Sequence, residues 1–201
     1  LYPKTSIGYL KVQYVVRTAY SGCNDTIVKD VFIRPSITIK ADGYFENFET
    51  GQGGWIKDES EVNTWSFGKP SRQVINSAYS GQSAWFTNFD KIQLQSENSS
   101  VTSPCFDFTE LKRPTISIKL WKRFASDRDG TVLQYKLGDS KAWETIGSIG
   151  DGIGWYNSPV IRGNPGDNQL GWTTIGSPDT YWNDGIHNLD SLVGKTDVKF
   201  R

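Results

Sequence analysis

The sequence predicts an all-β protein, an antiparallel jelly-roll β-sandwich preceded by a β-hairpin. Three observations carry this expectation. The 201 residues include 10 Phe, 9 Tyr and 8 Trp together with 20 Gly and 8 Pro, a composition too aromatic for disorder and too rich in turn formers for a helix bundle. Short runs of alternating apolar and polar residues recur along the chain, separated by clusters of Gly, Asn, Asp and Ser. No segment sustains the 3.6-residue helical period for more than about two turns.

The elements follow in order. Residues 9–20 alternate and are rich in β-branched and aromatic side chains, as a strand requires. Residues 21–25 (SGCND) read as a turn, because Gly, Asn and Asp tolerate positive φ and bond their own backbone. Residues 26–33 return as a second strand, completing a hairpin that is marginal in water by itself. Arg34, Pro35 and Ser36 then read as an exit into a linker, since Pro ends strand pairing. Residues 44–51 predict an opening strand with a glycine turn and a buried Trp55 behind it. Further strands are expected at 84–88, 100–103, 115–124, 131–137, 143–147 and 196–200. Trp55, Trp65, Trp85, Trp121 and Trp143 lie in alternating apolar text and are expected to fill the core.

Charge and length exclude several classes. Lys and Arg (22) balance Asp and Glu (22), so the chain offers no electrostatic footprint for nucleic acid or anionic lipid. No run approaches the roughly 18 apolar residues of a membrane helix, so no membrane insertion is expected. Met is absent, as expected of a chain cut from a longer precursor. Cys23 and Cys105 are too few for a disulfide framework or a zinc site; they pair with each other or stand as separate thiols.

Catalytic groups are sparse. His187, the sole histidine, lies in GIHNL (185–189) without a Gly-x-Ser-x-Gly nucleophile turn, and reads as a surface or edge-strand residue. Asp127 and Asp129 flank Arg128 in a stretch that reads as a hairpin turn rather than a glycosidase pair, and Glu144 follows Trp143. No enzyme is expected. Trp155, Tyr156 and Asn157, and Tyr181, Trp182 and Asn183, sit instead in polar, glycine-rich text. Aromatics beside amides and carboxylates are what a sugar site uses, so these six are the candidate ligand-binding residues. The other reading is that the rings cap the open ends of the sandwich. Asn24-Asp25-Thr26 and Asn98-Ser99-Ser100 match the glycosylation pattern, which is short enough to arise by chance.

Two resemblances add to this. Residues 9–33, with SGCNDT followed by VKDVFI, resemble the last strands of a PKD (polycystic-kidney-disease-type) immunoglobulin-like domain, which makes 1–38 the tail of such a domain plus linker. The alternative is that these are simply the first strands of one large sandwich. Residues 44–201 resemble the MAM-like jelly rolls of large bacterial surface proteins. The matching words, in order, are FETG (48–51) with Trp55, WSFGKP (65–70), INSAYSG (75–81), AWFTN (84–88), SPCFDFT (103–109), DGTVLQY (129–135), Trp143 with WYN (155–157), and VKFR (198–201). The single Cys105 in this stretch departs from the cysteine-rich eukaryotic MAM domains and favours the bacterial branch. The resemblance implies a non-catalytic module of a large secreted or cell-surface bacterial protein of the type IX-secreted kind. Its expected role is adhesion or glycan or protein binding, with a structural spacer or an accessory domain of a secreted hydrolase as the alternatives. It also implies a weak structural Ca2+ near the first strand, held by Glu49 and the turn at Ser80 and Gln82, unless Glu49 simply accepts backbone N–H groups. Finally, it implies that one strand should follow 196–201, leaving an unpaired edge through which the chain is expected to dimerise.

Overall fold

The structure, a computed structural model, describes residues 8–17, 19, 22, 24–59, 62–72, 74–87, 97–138 and 142–201. The chain divides into two compact units, 1–35 and 36–201. In the first, β1 (Gly8–Arg17) and β2 (Asn24–Ile33) form an antiparallel hairpin whose register runs from Gly8 opposite Ile33 to Arg17 opposite Asn24. Because side chains alternate across a strand, this register gathers Leu10, Val12, Tyr14 and Val16 on one face with Ile27 and Val31. Tyr9 and Phe32 meet edge to face at 5.0 Å on the other. Cys23 lies outside the described residues, as does any pairing of it with Cys105.

The second unit contains β3 (Ser36–Thr38), β4 (Ile56–Lys57), β5 (Trp65–Gly68), β6 (Ala84–Thr87), β7 (Val101–Thr102), β8 (Cys105–Asp107) and β9 (Thr115–Leu120). It continues with β10 (Gln134–Leu137), β11 (Glu144–Thr145), β12 (Gly152–Ile153), β13 (Asn183–Asn188) and β14 (Val198–Phe200). Among the described residues the only helical turns are 3-10 turns at Pro165–Asp167 and Asp190–Leu192. A five-stranded sheet, β11-β10-β14-β8-β3, and a three-stranded sheet, β12-β13-β9, are accompanied by the separate pairs β4-β7 and β5-β6, with no closed barrel among the described residues. The core lies between the two larger sheets: Phe106, Val198 and Phe200 come from one, and Ile116, Ile118 and Leu120 from the other. The fold is all-β and sandwich-like, as the sequence predicts.

Four local expectations are corrected, each for a visible reason. Residues 44–51 form no strand. The Glu46 carboxylate accepts the Phe48 N–H at 2.6 Å, Asn47 Oδ1 accepts that of Glu49 at 3.1 Å, and Phe48 sits at φ 65°, so side chains take the donors a ladder would need. The strand expected over 115–124 stops at Leu120, because the N–H groups of Lys122 and Phe124 go to the Asp179 carboxylate and the Thr174 hydroxyl. The pairing is not wholly antiparallel: β3 runs parallel to β8, which the long connection between them permits. The turn at Asp127 closes no hairpin, because β9 pairs with β13 while β10 pairs with β11 and β14 in the other sheet.

The largest correction concerns tryptophan. Trp155 (2% exposed), Trp172 (3%) and Tyr156 (4%) form the centre of the core, while Trp55, Trp65, Trp85, Trp121 and Trp143 are half-buried. The polar, glycine-rich text around Trp155 serves close approach of backbones, not a loop. A Cβ at Gly152 or Gly154 would run into the carbonyls of Ile186 and Asp184, so only glycine lets this segment lie against β13. The indole N–H groups of Trp155 and Trp172 then reach the carbonyls of Ile146 (2.9 Å) and Gly154 (2.8 Å), which lets both rings be buried without an orphaned donor.

Candidate ligand surface

The six candidate ligand residues separate into an interior half and a surface half. Trp155 and Tyr156 offer no ring face to solvent and cannot serve as stacking platforms. The Tyr156 hydroxyl donates to the Leu133 carbonyl at 2.9 Å, and burial pushes its ionisation above the ordinary phenol range. Asn157 is exposed, but its amide is spent on Thr173, donating to the carbonyl and accepting the N–H at 2.9 Å each. Tyr181 is 66% exposed, and Trp182 and Asn183 are half-buried at the start of β13.

The surface half is completed by residues the sequence reading did not single out for binding. Trp121 follows β9 directly and meets Trp182 edge to face, with centroids 5.9 Å apart and planes at 80°. Trp182 Nε1 donates to the Ser77 carbonyl at 3.2 Å, which lays the segment 77–79 across the end of the sheet. Trp121 Nε1 donates to the Asp179 carbonyl at 2.8 Å. Tyr79, 56% exposed, carries Lys119 Nζ 4.3 Å from its ring centroid. Lys119 is also bonded to Asp184, its cross-strand partner, and that bond raises the lysine above its ordinary range. Nothing local marks Tyr79 in its polar SAYSG context; only the chain path brings it to Lys119.

The remaining candidate groups are engaged elsewhere. His187 is on the middle strand of its sheet with only 13% of its side chain exposed, so it is not a surface or edge residue. Its ring packs 4.8 Å from that of Trp155, its Nε2 is 3.8 Å from Asp151 Oδ2, and its buried Nδ1 has no hydrogen-bond partner among the described residues. The Asp151 carboxyl is held below the usual range, chiefly by the Ser148 hydroxyl and N–H, with a smaller contribution from His187. Asp127 lies in a turn at φ 57°, and the backbone carbonyls of Asp127 and Asp129 accept bonds from Arg162 and Thr173. Glu144 accepts the Tyr135 hydroxyl at 2.6 Å rather than facing another carboxylate.

Around Glu49, the turn presents N–H groups to the carboxylate. Glu49 Oε1 accepts Gln82 N–H at 2.9 Å and Ser83 N–H at 2.7 Å. That is a carboxylate clamp, whereas the expected calcium site needs Ser80 and Gln82 to contribute oxygens. Among the described residues no group of three or more His, Cys, Asp or Glu is placed to hold a metal. None of their helices is long and apolar enough to cross a membrane.

No family model matches the chain, and no solved structure gives a significant match. Bacillopeptidase F of Bacillus subtilis (strain 168) is 33% identical over 121 residues. The shared region is 60% of this chain and 8% of that much longer protein, so the similarity is to a part of a protein whose name is that of a peptidase.

Proposed function

We propose that this chain is a non-catalytic accessory module of a larger secreted hydrolase, the class to which a bacillopeptidase belongs. The observation that carries the reading is the partial match: the chain resembles only 8% of the peptidase-named relative. The chemistry of the fold supports it. A histidine acting as general base needs a nucleophile within hydrogen-bond reach; His187 instead packs on Trp155 and lies beside Asp151. The carboxylates of Glu49 and Glu144 are used within the fold. The resemblance to bacterial PKD-like and MAM-like modules agrees with an accessory role outside the cell. The adhesion reading has no comparable support.

The test is an assay of the purified chain against casein and against chromogenic glycosides. Turnover indistinguishable from buffer is expected. Turnover that persists through purification and disappears in His187→Ala or Asp129→Asn would overturn the proposal.

A further inference from the structure

We infer that the outer face of β9 and β13, with the segment 77–79 laid across its end, binds a neutral polysaccharide chain. This site is independent of the accessory-module reading.

The rings there are fixed before any ligand arrives. Each indole N–H of Trp121 and Trp182 is bonded to a backbone carbonyl, so the rings are held by their edges. Ordering costs on binding are correspondingly small. Tyr79 remains more than half exposed beside Lys119, and Tyr181, the residue before Trp182, is 66% exposed. A pyranose presents C–H groups whose weakly positive hydrogens suit the negative face of an aromatic ring.

The polar groups favour a neutral ligand. Lys119 is neutralised by Asp184, and Lys122 Nζ lies 2.9 Å from Asp179 Oδ2. With both cations locally balanced, a phosphate, an acidic peptide or a basic peptide meets no net attraction. Sugar hydroxyls, which both donate and accept, can bond to either member of an ion pair without leaving a charge unmatched. The register extends this surface: Ser117 lies opposite Ile186 and Thr115 opposite Asn188, on the face that Lys119 and Asp184 share. Hydroxyl and amide groups, interrupted by Ile186 and the exposed Ile153 beside it, therefore lead away from the aromatic end, a mixed surface that suits an extended chain rather than a single sugar.

The experiment is affinity electrophoresis of the whole chain in gels containing xylan, laminarin, mannan or hydroxyethylcellulose, with heparin as the charged control. Retardation is expected in at least one neutral polymer and not in heparin. Tyr181→Ala and Trp182→Ala should each weaken that binding by about tenfold, the loss of roughly one stacking contact, while Tyr14→Ala in the hairpin leaves it unchanged. Tyr181 can be truncated without disturbing the core, so its variant decides the matter if Trp182→Ala does not fold. Absence of retardation in every neutral polymer, retardation by heparin alone, or full binding by the aromatic variants overturns the inference.

Discussion

Ser103 and Phe200 hold each other through two hydrogen bonds: the Ser103 N–H donates to the Phe200 carbonyl at 2.9 Å, and the Phe200 N–H donates to Ser103 Oγ at 2.9 Å. The hydroxyl itself donates to the Pro104 carbonyl at 2.7 Å. Ser103 is fully buried, and Phe200 belongs to the core. A side chain here completes the pairing of the middle strand of the larger sheet. Ser103→Ala orphans the Phe200 N–H in the interior and is expected to cost about 1–3 kcal/mol. Urea denaturation should show a lower midpoint with an unchanged slope. An unshifted midpoint would mean that water replaces the hydroxyl.

Trp155 and Tyr181 should behave oppositely when probed for stability and for binding. Trp155 lies 4.9 Å from Trp172 and 5.3 Å from Tyr156 by ring centroid, so Trp155→Ala removes the centre of an aromatic cluster. Equilibrium unfolding should register a loss of about 3–5 kcal/mol. Tyr181→Ala, on the surface half, should stay within about 0.5 kcal/mol of the parent. Comparable losses in the two variants would contradict this division.

Alkaline stability should depend on Tyr135. The hydrogen bond to Glu144, with smaller contributions from burial and from the Glu144 charge, pushes its ionisation from 10.0 up to about 12. The protonated phenol is favoured in the folded state, so above pH 10 the unfolded chain releases its proton first. The stabilisation is complete below pH 10 and is lost as pH rises toward about 12. Tyr135→Phe should flatten the fall in denaturation midpoint across that window. An identical fall in parent and variant would refute the assignment.

At Glu49, calcium should have little effect. Two N–H groups already converge on Oε1, and their positive ends disfavour a cation at that oxygen. Melting temperatures in calcium and in chelator should coincide, because a ligand that does not bind the folded state does not stabilise it. Glu49→Ala should cost about 1 kcal/mol through the lost clamp, with Glu49→Gln costing less because it retains an acceptor. A melting temperature that climbs with calcium in the parent and not in Glu49→Gln would restore the cation site.

Much of the architecture was legible in the residues themselves. The hairpin of β1 and β2 follows from two alternating runs around a Gly/Asn/Asp turn, because period-2 alternation and turn chemistry are local properties. The same holds for β6, β7, β10, β11 and β14 as short pieces, whereas β8 and β13 were not expected as strands. Strand lengths were less legible. Lys122 and Phe124 continue an apolar-alternating text, but their N–H groups are claimed by Asp179 and Thr174 from more than 45 positions away. No local pattern records that competition.

The sequence by itself determined that this is a β protein with a neutral, aromatic-rich surface and interior. Which aromatics fill the interior was decided only by tertiary structure. Trp155 looked like a surface ring because its neighbours are Gly, Asn and Asp; in the fold, those glycines admit a second backbone and the indole finds the Ile146 carbonyl. Trp182 became a surface ring with partners because Ser77 and Trp121 reach it from distant parts of the chain. Burial is set by which backbone passes within a few ångströms, and composition around a single residue does not encode that.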